Sequence, residues 1–374
     1  MKILLWPSFY LPSIGGLEVM AHSLAQQLKK MGHEILVLTT GEEFKEYSME
    51  SIRVYAFPFV QSLLHNDLAN LKKILMTIEG LIDAFAPDIV NIHGWIEVFS
   101  FYQIRILRKK KVPYCITVHG LLEQKHYNTD ACVNLWKRAG SVNTVSRAIL
   151  ESLHEQNIAH PSLRVIYNGL PASPKPAAPL PHPPSLAMIG RLTEEKNFDV
   201  AFHAMKILVK ANPSLKLVLV GGGIQYRDLT RLRKSLGLDE AIKMTDFVRP
   251  SHVPNYINQA SIVLVPSSYE SFCLTALEAA FLSRPVVASN VLGLKEVIEP
   301  FQTGLLIEPG NPSALAEAVE RLLSNPSQIE KMGKAAQERA LEFFTIEKSA
   351  QNYLNMYREV LYERSSHQRD YSYL

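Results

Sequence analysis

The stretch Ser261–Ala280, SIVLVPSSYESFCLTALEAA, contains the structural unit that decides the fold. Its first part, Ser261–Ser267, is a short apolar run rich in branched side chains, which is typical of a buried strand. From Ser271 onward, the residues have the pattern of a mostly apolar helix. A buried strand followed closely by a helix predicts a parallel sheet, because parallel strands are joined by helical crossovers.

The same alternation of apolar runs and helical patterns extends along most of the chain. In the first half, the predicted strands are Lys2–Trp6, Glu34–Thr40, Asp88–His93, Pro113–Gly120 and Ser141–Ser146. In the second half, they are Ser185–Gly190, Leu215–Gly223, Ile242–Val248, Ser261–Ser267, Pro285–Asn290 and Thr303–Pro309. We therefore predict an α/β protein built from doubly wound, Rossmann-like parallel sheets.

A proline-rich segment, Pro171–Pro184, separates the two series of strands and contains seven prolines in fourteen residues. It favours a stiff, extended connector, because proline lacks the amide donor that a helix interior or a central strand needs. A length of 374 residues also indicates more than one core. We predict an N-terminal domain over residues 1–170, a linker over 171–184 and a second domain over 185–345. A ligand is expected in a cleft where the carboxyl ends of the two sheets face each other.

Composition and charge argue against several classes of protein. The chain is 47% hydrophobic and 20% charged, and its formal net charge of +3 argues against a dedicated nucleic-acid-binding protein. No run approaches the ~18–20 apolar residues of a membrane-spanning helix. The N-terminal run MKILLWPSFYLP is interrupted by Pro7 and lacks a cleavage site, so we expect a first strand rather than a signal peptide. Three widely spaced cysteines favour reduced thiols in the cytosol.

Two cations follow a predicted strand in the segment GRLTEEKN, Gly190–Asn197. Arg191 and Lys196 would lie at the carboxyl end of that strand, where Arg can bind two phosphate oxygens and Lys can add a point charge. This position favours a diphosphate ligand. The alternative is a solvated pair of surface cations.

Two glycine-rich turns also follow predicted strands. Gly15 and Gly16 precede a predicted helix, so the backbone can approach a ligand and the helix N-terminus can face an anion. Gly222, in the turn Val220–Gly223, is in a similar position. Neither turn has the G-x-G-x-x-G pattern, and the alternative for both is a turn that only needs a positive φ.

Two histidines, His93 and His119, each end a predicted strand and precede a glycine. Both are expected to face the cleft, and His119 is the better candidate for contact with a substrate hydroxyl or phosphate. The alternative is a structural histidine at each position.

Glu270 and Glu278 are eight residues apart on the predicted helix, roughly 12 Å along its axis. This separation is too long for a shared proton, a single metal ion or the carboxylate pair of a glycosidase. It fits a ligand with hydroxyl groups at both ends and a diphosphate between them. The phosphates would then face the start of the helix, Ser271, Phe272, Cys273 and Leu274.

The alternative for this pair is one carboxylate at a helix N-terminus and one exposed glutamate. No Asp-x-Asp pair occurs in the chain, so we predict no metal clamp for a diphosphate. Cations and helix dipoles would instead neutralise the negative charge on the departing diphosphate.

Taken in order, these motifs resemble the retaining glycosyltransferases of the GT-B fold, specifically family four. The resemblance covers nearly the whole chain. It rests on Gly15–Gly16 with Glu18, His119, the VIYNG segment before the linker, Gly190–Arg191 with Lys196, and the Glu270/Glu278 pair after VPSSY.

The resemblance implies a role for each matched residue of the donor site. Glu270 would hold sugar hydroxyls, and Glu278 would hold the ribose. Arg191 and Lys196 would bind the diphosphate, with help from Gly16.

The resemblance also implies contacts with the transferred sugar and the nucleobase. His119 would lie beside the sugar, but family members often have an acidic residue after this histidine, where the present chain has Gly120. The base is expected against the loops that contain Gly222 and Arg249. A C-terminal helix over residues 346–374 would cross back to the N-terminal domain.

The implied reaction is metal-independent transfer of a hexose from a UDP- or GDP-sugar to a hydroxyl of a glycan, a lipid-linked or a small-molecule acceptor, with retention at the anomeric carbon. The pathway would be polysaccharide or lipopolysaccharide biosynthesis, and no resident cofactor is expected. Two alternatives stay open: a GT-B-type nucleotide-sugar epimerase, and a non-catalytic nucleotide-sugar-binding subunit of a transferase complex.

Clustered cations suggest a peripheral site on the inner face of an anionic membrane. The segment Arg105–Lys111, RILRKKK, has five cations in seven residues, and Leu71–Lys73 adds two. The alternative is a solvated helix end.

Overall fold

The computed structural model describes residues 1–13, 15–65, 67–94, 97–120, 130–173 and 175–370, without the side chains of residue 97 and of residues 365–370. The chain divides into two compact units. The first contains Met1–Gly169 together with Ile346–Leu374, and the second contains Leu170–Thr345. The proline-rich segment therefore groups with the second unit; Pro174 within it and residues 371–374 of the predicted C-terminal helix lie outside the described residues.

The first unit is built on one large sheet. Its strands are β1 (Lys2–Pro7), β2 (Glu34–Thr40), β3 (Lys45–Met49), β4 (Ile52–Phe57), β5 (Ile89–His93), β6 (Tyr114–Val118), β7 (Ser141–Thr144) and β8 (Leu163–Val165). The helices between them are α1 (Gly16–Lys30), α2 (Phe59–Leu64), α3 (Leu68–Phe85), α4 (Glu97–Lys110), α5 (Asp130–Lys137) and α6 (Arg147–Glu155).

The strand order in this sheet is β3-β4-β2-β1-β5-β6-β7-β8. Neighbouring strands are parallel except for the antiparallel pair β3–β4. The chain leaves β1 toward β2 on one side and later returns to β5 on the other, so the winding reverses between β1 and β5. The carboxyl ends of these two strands mark the crevice in which open α/β sheets bind ligands.

The sequence patterns missed β3, β4 and β8. The edge strand β3 has the polar sequence KEYSM, the apolar run of β4 is interrupted by Arg53, and β8 has only three residues. None of them therefore carries the continuous apolar run that identifies a buried parallel strand.

The second unit contains a smaller, wholly parallel sheet. Its strands are β9 (Ser185–Ile189), β10 (Lys216–Val220), β11 (Ile242–Met244), β12 (Ile262–Val265), β13 (Val286–Ser289) and β14 (Gly304–Ile307). Its helices are α7 (Phe198–Ala211), α8 (Tyr226–Ser235), α9 (Val253–Asn258), α10 (Leu274–Phe281), α11 (Leu294–Val297), α12 (Pro312–Leu323) and α13 (Pro326–Phe343). Short 3₁₀ turns occur at Glu194–Lys196 and Pro250–His252.

The strand order in the second sheet is β11-β10-β9-β12-β13-β14. The chain winds from β9 through β10 to β11 on one side, and then from β12 through β13 to β14 on the other. The winding therefore reverses between β9 and β12, and the carboxyl ends of these strands form the second crevice.

The start of α10 corrects one sequence prediction. The helix was expected from Ser271 onward but begins at Leu274, with Cys273 as its N-cap residue. Cys273 has a φ of +78°, in the left-handed region, so the preceding residues cannot continue the helix. The axial distance of 12 Å between Glu270 and Glu278 assumed a continuous helix and does not apply, because half of that interval is a loop.

The C-terminal part of the chain forms three helices, α12, α13 and one more that follows them. Asn311 and Asn325 cap α12 and α13, and their side chains accept the amides of Ala314 and Gln328. The last helix is α14 (Ile346–Asp370), which belongs to the first unit.

Buried hydrogen bonds join α14 to the sheet of the first unit. The side-chain amide of Asn91 on β5 donates to the Tyr357 hydroxyl at 2.6 Å, and that of Asn143 on β7 donates to the Tyr353 hydroxyl at 3.3 Å. The Thr117 hydroxyl on β6 lies within hydrogen-bond distance of two side-chain oxygens, Asn91 Oδ1 at 3.1 Å and Asn143 Oδ1 at 2.9 Å, and its single proton is donated to one of them at a time. All these side chains are fully buried. In the described part of the chain, no helix has both the length and the apolar character needed to cross a membrane.

Candidate functional site

Several charged residues of the second unit lie after β9 and β12, the two strands between which the winding of the sheet reverses. The loop after β9 contains Arg191 and Lys196, and the loop after β12 contains Glu270. Because β9 and β12 are hydrogen-bonded neighbours, their carboxyl ends lie at the same edge and the two loops meet. The structure thus brings three of the predicted residues to one crevice.

Lys196 and Glu270 form an ion pair within this crevice. The Lys196 Nζ donates to Glu270 Oε1 at 2.6 Å, and the hydroxyl of Ser267 donates to the same oxygen at 3.0 Å. Burial acts to lower the pKa of the Lys196 ammonium, but the carboxylates of Glu270 and Glu195 outweigh it and hold this pKa above its usual value. Lys196 is therefore a permanent cation at neutral pH, and Glu270 is held in place by two donors.

The backbones of the two loops are also tied together. The Ser268 amide donates to the Glu195 carbonyl at 2.8 Å, and the Asn197 side chain donates to the Pro266 carbonyl at 3.2 Å. Sequence reasoning did not select Ser267, Asn197 or Ser268. Their only signal is their position next to predicted site residues at strand ends.

Arg191 differs from Lys196 in its surroundings. Its side chain is exposed, and it has no hydrogen bond or ion pair within the described part of the chain. An unpaired guanidinium at the carboxyl end of a central strand can bind an incoming anion without first breaking an internal salt bridge.

The glycine turn after β10 is required by packing within the protein. A Cβ at Gly221 would lie 1.9 Å from the Gly190 carbonyl oxygen, and one at Gly223 would lie 2.7 Å from the Leu192 amide nitrogen. Both glycines have a positive φ, of +143° and +155°. The structure therefore supports the alternative that these glycines are needed for the positive φ and the close packing of the turn. Contact of this turn with a ligand stays a prediction.

Gly222 lies against the second loop that was expected to contact a nucleobase. A Cβ at this position would approach Asp246 Oδ1 to 2.4 Å and the ring of Phe247 to 2.6 Å. The loop continues to Arg249, whose side chain is exposed. Phe247, which the sequence analysis did not select, is 60% exposed and presents an aromatic ring beside the glycine turn.

The segment before α10 is held by protein contacts. The Gly293 amide donates to the Glu270 carbonyl at 3.0 Å, and a Cβ at Gly293 would lie 2.4–2.5 Å from the backbone of Glu270, Ser271 and Phe272. The side chains of Phe272 and Cys273 are buried. Because α10 begins at Leu274, Ser271 and Phe272 precede the helix. The prediction that these two residues lie at the helix N-terminus and face the phosphates from there was therefore wrong.

Glu278 lies on α10 and is half-buried. Burial raises the pKa of its carboxyl to about 7. In the described residues no side chain or amide donates a hydrogen bond to it. It is thus a desolvated carboxylate that a ligand hydroxyl could stabilise.

In the first unit, His93 and His119 lie side by side at the carboxyl ends of β5 and β6. The Nδ1 of His93 and the Nε2 of His119 are 3.0 Å apart. Burial lowers the pKa of His119 to about 3, and burial together with the neighbouring His119 lowers the pKa of His93 well below its usual range. Both imidazoles are neutral at pH 7, so His119 can offer a hydrogen bond but no positive charge.

Gly15 and Gly16 begin α1 as expected, with Gly15 at the N-cap position. The carboxylate of Glu18 folds back over this end, and its Oε2 lies 2.5 Å from the place of a Gly15 Cβ. A carboxylate at the third helical position is a common partner of a helix N-terminus. A diphosphate bound here would therefore share the helix end with Glu18.

Comparisons with known proteins agree with this architecture. Residues 14–174 match the model of Glycosyltransferase Family 4, and residues 174–339 match that of Glycosyl transferases group 1. The chain is 28% identical over 386 residues to glycogen synthase of Mycobacterium tuberculosis, with 92% of this chain and 91% of the relative covered.

Two solved structures share the whole fold. Sucrose-phosphate synthase of Thermosynechococcus elongatus superposes with a TM-score of 0.80 at 19% identity, covering 97% of this chain and 100% of the other. Anabaena HepE in complex with UDP-glucose gives a TM-score of 0.75 at 18% identity, covering 98% and 100%. Both are GT-B glycosyltransferases. The two glycosyltransferase family models together span residues 14–339, so the chain is similar to glycosyltransferases of family 4 and group 1 over most of its length, and its fold is that of the GT-B glycosyltransferases.

Proposed function

We propose that this protein is a retaining, metal-independent hexosyltransferase that uses a UDP- or GDP-sugar as donor. The observation that carries the proposal is the Lys196–Glu270 pair at the reversal point of the second sheet. It places a fixed cation and a fixed carboxylate side by side, with the exposed Arg191 on the same loop as Lys196. A sugar diphosphate needs this combination: cations for the phosphates and an acceptor for the sugar hydroxyls.

Each of these residues has a distinct role in the proposal. Lys196 and Arg191 stabilise the negative charge that develops on the leaving diphosphate, Lys196 from a mostly buried position and Arg191 from an exposed one. Glu270 accepts hydrogen bonds from two sugar hydroxyls. Glu278 accepts the ribose hydroxyls, for which its desolvated carboxylate has no competing donor within the described residues.

His119 and the nucleobase loops complete the proposed donor contacts. The neutral His119 donates or accepts one hydrogen bond at the transferred sugar, and its proton position is linked to that of His93. Phe247 provides an exposed aromatic surface for the base, between Gly222 and Arg249.

The proposed chemistry needs no group beyond these side chains. The leaving phosphate oxygen takes the acceptor proton on the same face of the sugar, which preserves the anomeric configuration. Two cations offset the diphosphate charge, so we propose that a chelator leaves the rate unchanged.

We propose a hydroxyl of a glycan or a lipid-linked molecule as the acceptor, and the cytosol as the place of reaction. Glycogen synthase, a relative, is named for a polysaccharide product. All three cysteines are free and buried, as a reducing compartment allows.

A peripheral contact with an anionic membrane is a second proposal, supported by α2 and α3. Leu64, Leu68 and Met76 are 74%, 77% and 62% exposed, and α3 also carries Lys72 and Lys73. The C-terminal cations of α4 contribute less than the sequence suggested, because two of them form ion pairs with acidic residues of α3. Flotation with anionic vesicles that is unaffected by salt, or that fails, would contradict this contact.

The experiment that tests the transferase proposal is a panel of UDP- and GDP-sugars, scored by thermal shift and by release of nucleoside diphosphate with and without glycan acceptors. We expect one donor to stabilise the protein and to release nucleoside diphosphate when an acceptor is present, equally with and without EDTA. The anomeric configuration of the product is then read by proton NMR.

The alternatives give different results in the same panel. An epimerase consumes the nucleotide sugar without an acceptor and yields an isomeric sugar. A binding subunit shows the thermal shift but never releases nucleoside diphosphate. A product with inverted configuration would contradict the proposed mechanism while leaving the donor assignment intact.

A further inference from the structure

A cavity of about 510 Å³ lies in the first unit, at the amino-terminal edge of its sheet. Tyr114, the first residue of β6, and Gly140, which immediately precedes β7, both line it. The remaining walls come from the C-terminal part of α4, the residues that follow it and the last turns of α14. Its volume is in the range of sites that bind small molecules.

Four cations from three separate parts of the chain converge on this cavity. Arg108 and Lys111 come from the end of α4, Arg138 follows α5, and Arg364 lies on α14. Glu363 is the one carboxylate that lines the cavity among the described residues. The walls are therefore strongly cationic.

These cations are not explained by ion pairs within the protein. On the same helix, Lys109 forms an ion pair with Glu79 of α3 at 2.6 Å, and Lys110 forms one with Asp83 of α3 at 2.5 Å. Within the described residues, Arg108, Lys111 and Arg138 form no such ion pair.

Arg364 has a structural role as well. Its guanidinium donates to the carbonyl of Lys111, the residue with a φ of +54° that follows α4. Cations at the end of a helix also stabilise its dipole. That effect applies to the cations at the end of α4 and also to Arg138, which directly follows α5, but it does not explain why cations from α4, α5 and α14 all line one cavity.

The cavity also has apolar walls. Leu107 is almost fully buried, and Val360 of α14 packs so closely on Gly140 that a Cβ there would lie 2.4 Å from Val360 Cγ1. A site that combines apolar walls with several cations is complementary to a ligand with an apolar body and an anionic head.

This cavity is separate from the region proposed for the reaction. His93 and His119 follow the carboxyl ends of β5 and β6, whereas the cavity lies at the opposite ends of the strands. The five residues of β6 separate the two edges by roughly 16 Å. Ligands of the reaction are expected at the carboxyl edge.

We propose that this cavity is a second binding site, which takes an amphiphilic organic phosphate. The phosphate lies among Arg108, Lys111 and Arg138, and the apolar body lies against Leu107 and Val360. The ligand thereby bridges α4 and α14. The proposal goes beyond the transferase function and does not depend on it.

The test uses decyl phosphate below its micelle concentration as the probe, with isothermal titration calorimetry on the full chain. Inorganic phosphate and decanol serve as the two half-ligands. We expect decyl phosphate to bind at least about tenfold more tightly than either, because it alone engages both the cations and the apolar walls.

Arg108→Gln and Lys109→Gln form a matched pair of variants. They are adjacent on the same helix and remove the same charge, but only Arg108 lines the cavity. We expect Arg108→Gln to weaken decyl phosphate binding at least about tenfold and Lys109→Gln to change it less than about twofold. Arg138→Gln tests the same site from another element, and thermal unfolding checks that each variant is folded.

Two results would overturn the proposal: an equal loss of binding in Arg108→Gln and Lys109→Gln, or decyl phosphate binding no more tightly than inorganic phosphate. Flotation with phosphatidic acid vesicles then identifies the source of the phosphate. Weaker flotation of Arg108→Gln than of Lys109→Gln supports a lipid headgroup, and equal flotation of the two supports a soluble amphiphile.

Discussion

At the scale of single residues, the candidate site depends on a charge pair that the fold assembles. Lys196 and Glu270 are separated by 74 positions in the chain and form a 2.6 Å ion pair. Both side chains are mostly buried. Removing one partner leaves the other as a buried charge, which is costly.

We predict that Lys196→Ala lowers kcat for sugar transfer by about 100- to 1,000-fold, because it removes a cation that stabilises the departing diphosphate. The measurement is steady-state release of nucleoside diphosphate. Lys210→Ala, an exposed lysine near the end of α7, is the control and should keep full activity. Equal rates for the two variants would remove Lys196 from the mechanism.

A second prediction concerns the pH dependence of donor binding through Glu278. Its carboxyl has a pKa raised to about 7, so it is mostly protonated at pH 6 and mostly ionised at pH 8. We expect nucleoside diphosphate affinity to increase as the pH rises through 7, because the ionised carboxylate accepts ribose hydroxyls better. Calorimetric titrations from pH 5.5 to 8.5 measure this affinity. In Glu278→Gln, the part of the pH dependence that arises from ionisation of Glu278 should be absent.

The same group predicts how stability changes with pH. The folded-state pKa of Glu278 lies above its ordinary value of 4.5, so the unfolded state loses this proton first as the pH rises. Stability contributed by Glu278 is present below pH 4.5 and is lost between about pH 4.5 and 7. The gain in unfolding free energy from Glu278→Gln should therefore be larger at pH 8 than at pH 5, as measured by urea unfolding; a constant difference would contradict the raised pKa.

At the scale of elements, short loops at strand ends determine the geometry of the site. The loops after β9 and β12 are joined by backbone and side-chain hydrogen bonds, and the loop before α11 packs on the backbone that carries Glu270. These contacts need small residues at the points of closest approach.

We predict that Gly293→Ala lowers transfer activity by about tenfold or more, because its Cβ would lie 2.4 Å from the Glu270 carbonyl oxygen and must displace that backbone. Gly293 has a φ of −68°, so alanine adds no backbone strain and the effect is purely steric. The readout is kcat together with the melting temperature.

Gly80→Ala is the matched control for this prediction. Gly80 lies within α3, and a Cβ there meets no atom within 4 Å. We expect a gain of roughly 0.5–1 kcal/mol in stability and unchanged activity, because alanine favours a helix interior. Full activity in Gly293→Ala would show that the loop can move without disturbing Glu270.

At the scale of the whole molecule, the last helix returns to the first unit. The hydroxyls of Tyr353 and Tyr357 on α14 join a buried network of Asn91, Thr117 and Asn143 on three neighbouring strands. Buried polar groups of this kind must be paired, so the network specifies the position of α14 on the sheet.

We predict that Tyr357→Phe lowers the free energy of unfolding by about 1–3 kcal/mol, because the buried Asn91 amide loses its acceptor. Tyr362→Phe is the control, since Tyr362 lies on the same helix and is 76% exposed. Urea unfolding followed by circular dichroism measures both. An equal effect of the two substitutions would show that the network does not stabilise the fold.

Much of the fold could be predicted from local patterns. Eleven apolar runs were placed correctly as parallel strands, because strands buried on both faces need continuous apolar sequence. The three missed strands are polar, interrupted or very short. The position of Arg191 and Lys196 after a predicted strand made them candidates for a diphosphate site, and the spacing between Glu270 and Glu278 selected Glu270.

By itself, the sequence determined the fold class and the residues available at the ends of the strands, since both depend on neighbours within a few positions. Only the tertiary structure decided the pairing of Lys196 with Glu270, the neutral His93–His119 pair and the start of α10 at Leu274. It alone also brought four cations of the first unit to one cavity. The physical reason is the same in each case: burial, charge pairing and steric fit depend on atoms that the chain brings together from distant positions.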